Sequence, residues 1–347
     1  MIDLKQYGYN ETEPPPEGLI LGRVTAVHKE RYELITPLGV LYGKLKTGVY
    51  YGEGGETFPT AGDFVWLREI PSGDSQIVKT LNRKSQFIRR DPYAGNQTVA
   101  ANIDYVFIMT SLNRDFNVNR ALRYLTLTWQ SGAVPVIVLT KADLTDDPET
   151  QISAMRKITG DTDIIPVSVV SGMGLDRLNA YLSPGKTVVF LGMSGVGKSS
   201  LLNALMGQEV MTVNEIREDD SRGRHTTTHR QLFMLPSGAM VIDAPGMRSL
   251  GMWDAEEGVA ETFADIEALL GRCRFNDCRH QTEPGCAILT AIENGELSAD
   301  RWANYYNLKR EALYSVDKTT ALREKWERNK SIAKWSKQAK KNGGIRK

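Results

Sequence analysis

The rhythm of hydrophobic and polar positions changes along the chain, and each change marks a part of it. Residues 1–18 carry no periodic apolar pattern and contain Pro14-Pro15-Pro16, so a flexible N-terminal tail is expected. From Leu19 the texture becomes a series of short runs rich in β-branched and aromatic residues: Leu19–Val27, Arg31–Thr36, Gly39–Leu45, Phe64–Glu69 and Gln76–Leu81. Turn clusters such as Pro37-Leu38-Gly39 and Pro59-Thr60-Ala61-Gly62-Asp63 punctuate them. Five short strands over residues 19–82 predict a small barrel, and the OB-fold is the five-stranded type that fits. From Asn102 the pattern turns α/β. Tyr105–Leu112, Val134–Thr140, Ile164–Val169, Thr187–Leu191, Gln231–Leu235 and Met240–Ile242 read as strands, with helical spacing over Val118–Trp129 and Pro148–Ile158. Strands alternating with helices predict a mostly parallel sheet covered on both faces, with ligands beyond the carboxyl ends of its strands.

The polar motifs fall at those strand ends. Thr187–Leu191 runs into Gly192-Met193-Ser194-Gly195-Val196-Gly197-Lys198-Ser199-Ser200, which meets G-x-x-x-x-G-K-[ST] at every fixed position and opens a helix. Glycines let the backbone curl until its N–H groups converge on a phosphate, and the helix N-terminus favours the anion. Lys198 is the candidate catalytic cation for the terminal phosphates, and the Ser199 hydroxyl a candidate Mg²⁺ ligand. Thr140-Lys141-Ala142-Asp143 ends another strand. A carboxylate at Asp143 can accept from N1–H and the 2-amino group of guanine, donors that adenine lacks there, while the Lys141 stem covers the base plane. The strand end at Ser168 and Val169 offers backbone to the same base. Val241-Ile242-Asp243-Ala244-Pro245-Gly246 supplies D-x-x-G, with Asp243 holding Mg²⁺ through water and the Gly246 N–H sensing the terminal phosphate. Between these lies Val213–Arg230, a polar segment that reads as a mobile loop ordering over nucleotide and metal.

Composition narrows the class. The chain has 347 residues and a formal net charge of +1, so partners are indicated by where charge gathers rather than by its total. Residues 81–90, LNRKSQFIRR, read as a basic connector in which Arg83, Lys84, Arg89 and Arg90 have no acid beside them. Residues 318–347 hold eleven Lys and Arg against two Glu, with Trp326 and Trp335, and read as a basic helix and tail that bind a polyanion. On the barrel, Arg23, Tyr32, Tyr42, Lys44, Lys46, Tyr50 and Tyr51 are available for RNA, although most such aromatics are expected in the core. The three cysteines gather in Cys273-x4-Cys278-x-His280-x5-Cys286, which suits one closed, structural tetrahedral Zn²⁺ rather than a disulfide framework. Residues 1–17 do not resemble a signal peptide, and no apolar run nears the roughly 18 residues of a membrane span, so a cytoplasmic protein without membrane attachment is expected.

The joint order of these motifs resembles the RsgA or YjeQ type of circularly permuted, ribosome small subunit-dependent GTPase: P-T-A-G-D-F-V, R-K-S-Q-F-I-R-R, A-A-N-I-D, T-K-A-D, GMSGVGKSS, GRHTTT, DAPGMR and the Cys-Cys-His-Cys cluster. The base motif precedes the phosphate loop, the reverse of the ordinary order, and a circular permutation builds the same sheet. The division expected is a tail at 1–18, an OB-fold RNA-binding domain at 19–82, a permuted GTPase domain at 83–250 and a zinc-binding domain with a basic tail at 251–347. The resemblance implies binding of GTP and GDP, Mg²⁺-dependent GTP hydrolysis, and coupling to late maturation of the small ribosomal subunit, with rRNA contacted by the OB and zinc domains. A monomer is expected. Thr140 stands where the family often has Asn. Thr227 is the Mg²⁺ ligand the resemblance favours, with Thr226 and Thr228 left open. The residue after D-x-x-G is Met247, which cannot orient water, so His225 is the candidate water-positioning residue. An RNA-binding scaffold with structural guanine nucleotide is the alternative.

Overall fold

The structure is a computed structural model, and it describes residues 1–11, 14–28, 30–50, 57–91, 95–113, 115–211, 230–243 and 255–313. Strands β1 (Ile20–His28), β2 (Arg31–Thr36), β3 (Gly39–Leu45), β4 (Phe64–Arg68) and β5 (Ser75–Thr80), with the short helix α1 (Thr47–Tyr50), form the first unit. Their neighbours run β1-β2-β3-β5-β4, and β4 pairs back onto β1, which closes the small barrel the sequence predicts. Inward positions fill it: Val24, Tyr32, Leu34, Tyr50, Val65, Leu67 and Ile77 make one buried cluster. Of the aromatics and cations considered for RNA, Arg23, Tyr32 and Tyr50 are therefore interior, and Tyr42 is exposed beneath the Arg31 guanidinium.

A hairpin of β6 (Gln86–Asp91) and β7 (Gly95–Ala101) comes next, where the sequence predicts a basic connector. That expectation is corrected further by the partners of its cations. Arg83 forms a bidentate pair with the buried Asp63 carboxylate at 2.8 Å and also donates to Gln86 and Thr98. Lys84 pairs with Asp104, and Arg89 donates to Gln97. These cations have partners at a distance in sequence, so local charge counting leaves them free when they are not.

The α/β unit contains β8 (Tyr105–Ser111), α2 (Val118–Gln130), β9 (Val134–Thr140), α3 (Pro148–Thr159), β10 (Ile164–Pro166), β11 (Thr187–Gly192), α4 (Lys198–Met206), β12 (Arg230–Met234) and β13 (Met240–Asp243). Its strand order is β10-β9-β8-β11-β13-β12, parallel except for β12. Side chains alternate between two buried faces: Val106, Ile108, Val189 and Leu191 enter one cluster, and Phe107, Met109, Val188 and Phe190 the other. Burial on both sides explains why β8, β9 and β11 read as continuous apolar runs. Helices α5 (Glu256–Thr262), α6 (Ala264–Glu267) and α7 (Ala287–Glu293) and a helix over 299–313 complete the described chain. Among the described residues no helix is long and apolar enough to cross a membrane.

The barrel and the α/β sheet are joined. β1 pairs with β12 through Ala26↔Gln231 and Val27↔Arg230. Beneath this junction Arg23 is 1% exposed. Its guanidinium donates to the Gly62 carbonyl at 3.2 Å, to Thr187 Oγ1 at 2.8 Å, to Met240 Sδ at 3.0 Å and to the Tyr7 carbonyl. Burial lowers its pKa to about 10, against the opposing pull of Asp104 and Asp63. Tyr7 belongs to the segment expected to be a flexible tail. Instead Leu4–Tyr7 form a 3-10 turn capped by Asp3, Leu4 is buried, and Tyr9 packs on Phe64. Replacing Arg23 by Ala removes the donor from the Tyr7 carbonyl and the Thr187 hydroxyl, while the Gly62 carbonyl keeps the Asn102 amide. We expect Arg23→Ala to lose roughly 3–5 kcal/mol, read as a lowered urea midpoint, since each buried unsatisfied group costs about 1–3 kcal/mol.

Candidate functional site

The carboxyl ends of the parallel strands gather the polar motifs at one edge of the sheet. β11 delivers the glycine loop, whose entry depends on close backbone approach: a Cβ at Gly192 would lie 2.6 Å from the Met109 carbonyl oxygen of β8. Gly195 and Gly197 take positive φ values of 71° and 103°, the left-handed conformations that turn N–H groups inward. Gly197 caps α4 without a side-chain bond, so the cap residue itself takes none of the first-turn amides. Lys198 folds back on the loop, its Nζ donating to the Gly192 and Met193 carbonyls at 2.8 and 2.6 Å.

The loop after β9 is tied to this one by a side chain. Thr140 is buried, and its hydroxyl donates to the Val196 carbonyl at 2.6 Å. A hydroxyl thus bonds the phosphate loop at the position where the resemblance led us to expect a lost amide. Lys141 adopts φ +58°, and the Ala142 N–H donates to the Val167 carbonyl, which holds the loop against the end of β10. Asp143 lies exposed with Oδ1 accepting from the Ser168 hydroxyl at 2.5 Å. The Ser168 N–H is engaged by the Met173 carbonyl, so Ser168 acts on Asp143 through its side chain. Val169 is partly exposed beside it. Asp243 ends β13, next to β11 in the sheet. His225, Thr226, Thr227, Thr228, Gly246, Met247, Tyr51 and residues 318–347 lie outside the described residues.

One link between phosphate loop and C-terminal helices is not apparent from sequence. Helix α2, capped by Asn117, meets the loop through Tyr124, whose hydroxyl lies 3.9 Å from Met193 Sδ. The other side of α2 carries α5: Gly258 donates to Gln130 at 2.8 Å, and a Cβ there would meet the Thr126 carbonyl at 2.2 Å. Arg123 pairs with Glu311 of the 299–313 helix at 2.5 Å. Arg301 clamps that helix to Asp265 at 2.6 and 2.8 Å, to the Thr262 carbonyl and to the Ile158 carbonyl at the end of α3.

The second candidate site is Cys273, Cys278, His280 and Cys286, whose ligand atoms all lie within 4.8 Å of one another. His280 Nδ1 is 3.5 Å from Cys273 Sγ and 3.4 Å from Cys286 Sγ, and the two sulfurs are 4.0 Å apart. Sulfurs bound tetrahedrally at about 2.3 Å stand about 3.8 Å apart, so the set fits such an ion. The loop is pre-shaped by Glu283, whose carboxylate accepts the backbone N–H groups of Gln281, Arg279 and Thr282. Those bonds pull its pKa to about 2. His280 sits at φ +58° and meets Trp302 edge-on, at 5.5 Å between ring centroids. Cys286 is buried as the N-cap of α7, and the Ala287 N–H donates to Cys273 Sγ.

Comparison with known proteins agrees with this geometry. Residues 80–253 match the family model described as RsgA GTPase. Small ribosomal subunit biogenesis GTPase RsgA 1 of Listeria monocytogenes is 43% identical over 309 residues, 89% of this chain and 88% of that one. RsgA 2 of Lactiplantibacillus plantarum is 45% identical over 302 residues, 86% and 84% of the two chains. The crystal structure of YjeQ from Thermotoga maritima superposes with a TM-score of 0.64 at 28% identity, covering 85% of this chain and 99% of the other. YloQ, a circularly permuted GTPase, shares the fold at a TM-score of 0.61 and 23% identity, over 85% and 96% of the chains.

The bond between the two loops has a measurable role. Thr140→Val keeps the shape but leaves the Val196 carbonyl without its donor, at a cost of about 1–3 kcal/mol. We expect it to weaken GDP binding by about tenfold in a titration with fluorescent nucleotide, with little change in the melting of the barrel.

Proposed function

The chain belongs to the RsgA GTPase family, and from that premise we propose that it hydrolyses GTP on the small ribosomal subunit and couples the reaction to late maturation of that particle. The observation that supports this reading most directly is the Thr140–Val196 bond, which holds a base-recognition loop and a phosphate loop at one distance from each other. A nucleotide bridging them is selected at one end by Asp143, steadied by Ser168, and bound at the other by the loop amides and Lys198. In hydrolysis a water oxygen adds to the terminal phosphorus. The bond to the β-phosphate oxygen breaks, its electron pair leaves on GDP, and the water proton ends on inorganic phosphate.

Within the proposal, Lys198 leaves its two carbonyl partners for the β- and γ-phosphates, a short reach because both partners belong to the loop itself. Mg²⁺ neutralises charge on those phosphates when bound, and Ser199, Asp243 through water, and Thr227 are the residues that would hold it. His225 accepts a hydrogen bond from the attacking water once the segment around it is ordered by the subunit. The cysteine cluster takes zinc: three thiolates and an imidazole are a donor set for that ion, and four protein ligands leave no open position for catalysis. The barrel and the zinc unit are the rRNA-binding parts, and the protein acts as a cytoplasmic monomer. The scaffold alternative is not favoured by the family to which the chain belongs.

Multiple-turnover hydrolysis with small subunits, with large subunits and with neither tests the reading. We expect stimulation by small subunits only, none in Lys198→Ala, and loss of most of the stimulated rate in His225→Ala with GTP and subunit binding retained. Equal rates in all three mixtures would reject the coupling, and a fully stimulated His225→Ala would reassign the water to another group.

Metal analysis is expected to find one zinc per chain and to find it lost from Cys278→Ala. Structural zinc contributes on the order of 10 kcal/mol to small metal-dependent folds. Circular dichroism should then show loss of helix in the C-terminal unit.

A further inference from the structure

A small cleft, with room for about one water molecule, lies between the end of β8, the first turns of α2 and the phosphate loop, lined in part by Asp115, Arg120, Tyr124, Met193 and Ser194. Arg120 is the cation in it. Its guanidinium carries five N–H donors, and the hydrogen bond it makes among the described residues is a long one, 3.5 Å to the Asp115 carbonyl. No acidic side chain among the described residues pairs with it, in contrast to Arg83, Arg123 and Arg301.

Helical spacing says where this cation points. Arg120 and Tyr124 are four residues apart on α2 and so share one face of the helix. Tyr124 touches Met193, and Arg120 stands one turn closer to the N-terminus of α2, where the cleft is also lined by Ser194. Ala121, between them, is small enough to leave the cleft open. The same stretch of the loop marks the terminal-phosphate end of the nucleotide, because Lys198, the residue that serves the β- and γ-phosphates, lies against Gly192 and Met193. A second cation is therefore held beside that end by α2.

We propose that Arg120 is a catalytic residue supplied in cis, which donates to an oxygen of the γ-phosphoryl group as the bond to the β-phosphate breaks. This rests on the GTPase reading above. The residue transfers no proton; it stays charged and stabilises the negative charge spread over the transferring group and the departing β-phosphate oxygen. It is needed more in the transition state than in the ground state, so it acts on turnover rather than on nucleotide affinity. Helix α2 fixes its position, and because α2 also carries α5 and the 299–313 helix, the placement of this cation depends on the docked C-terminal unit.

The test uses the full chain with small subunits and GTP. Arg120→Ala is expected to lower kcat by about 100-fold, with the dissociation constant for GDP within about twofold of wild type. Arg120→Lys, which keeps the charge but not the fork, should recover part of the rate. A second readout needs no turnover: GDP with tetrafluoroaluminate mimics the transferring group, and Arg120→Ala should lose the tight complex that wild type forms. Wild-type kcat in Arg120→Ala, or unchanged tetrafluoroaluminate binding, would overturn the assignment. So would equal losses in the Ala and Lys variants accompanied by lower melting and weaker GDP binding, which mark a packing role. Failure of the GTPase reading itself is separate: the wild-type chain would then show no hydrolysis under any condition.

Discussion

The arrangement rests on one buried guanidinium. Arg23 lies where the N-terminal turn, the barrel and the central sheet meet, and it bonds to Tyr7, Gly62, Thr187 and Met240, which come from four separate parts of the sequence. A charge this deeply buried is tolerable only where its hydrogen-bonding needs are met, and the geometry that meets them sets three pieces of chain in one relation. The two strands it touches, β11 and β13, run from this junction to the phosphate loop and to Asp243. The barrel therefore holds the strand ends opposite the nucleotide site, and displacing it means breaking these bonds.

At the other end of the sheet, chain order ceases to matter. Base loop and phosphate loop are bonded through Thr140 although the first precedes the second by about fifty residues. Permutation instead changes the connection downstream of the site. The chain leaves β13 and enters α5, which packs on α2, and α2 in turn packs on the phosphate loop. The Cys3His cluster closes this circuit, because its His280 meets Trp302 of a helix that Arg301 clamps to α3 and to the α5–α6 corner.

Much of this was legible in the sequence because burial on two faces, tight turns and metal ligation each leave local signatures. β9 and β11 were legible from continuous apolar runs, the glycine loop from its spacing, and the Cys3His cluster from the gathering of every cysteine. What escaped depends on contacts between distant residues. The β6–β7 hairpin escaped because its charged and amide side chains mask a period of two, visible afterwards in Phe87 pointing inward between Gln86 and Ile88. The partners of Arg83 and Arg23 lie far along the chain. One signal was available: Asp63, a lone acid leading the apolar strand Phe64–Arg68, is the kind of buried charge that demands a cation somewhere. The N-terminal turn was hidden by its polar composition, since Leu4 and Tyr9 do its packing.

The short ladder between β1 and β12 bears on how such a protein can be divided. An edge strand presents unpaired N–H and C=O groups that recruit another chain. β12 is the antiparallel edge of the nucleotide-binding sheet, and β1 of the barrel satisfies the start of it at Gln231 and Arg230. Cutting the barrel away to study the nucleotide unit alone would uncover this edge and strip the Thr187 hydroxyl and the Met240 sulfur of the arginine that faces them. The barrel thus doubles as a guard against self-association, a duty independent of any RNA it binds, and a trimmed chain that aggregates would be reporting the loss of that guard rather than a failure of the nucleotide fold.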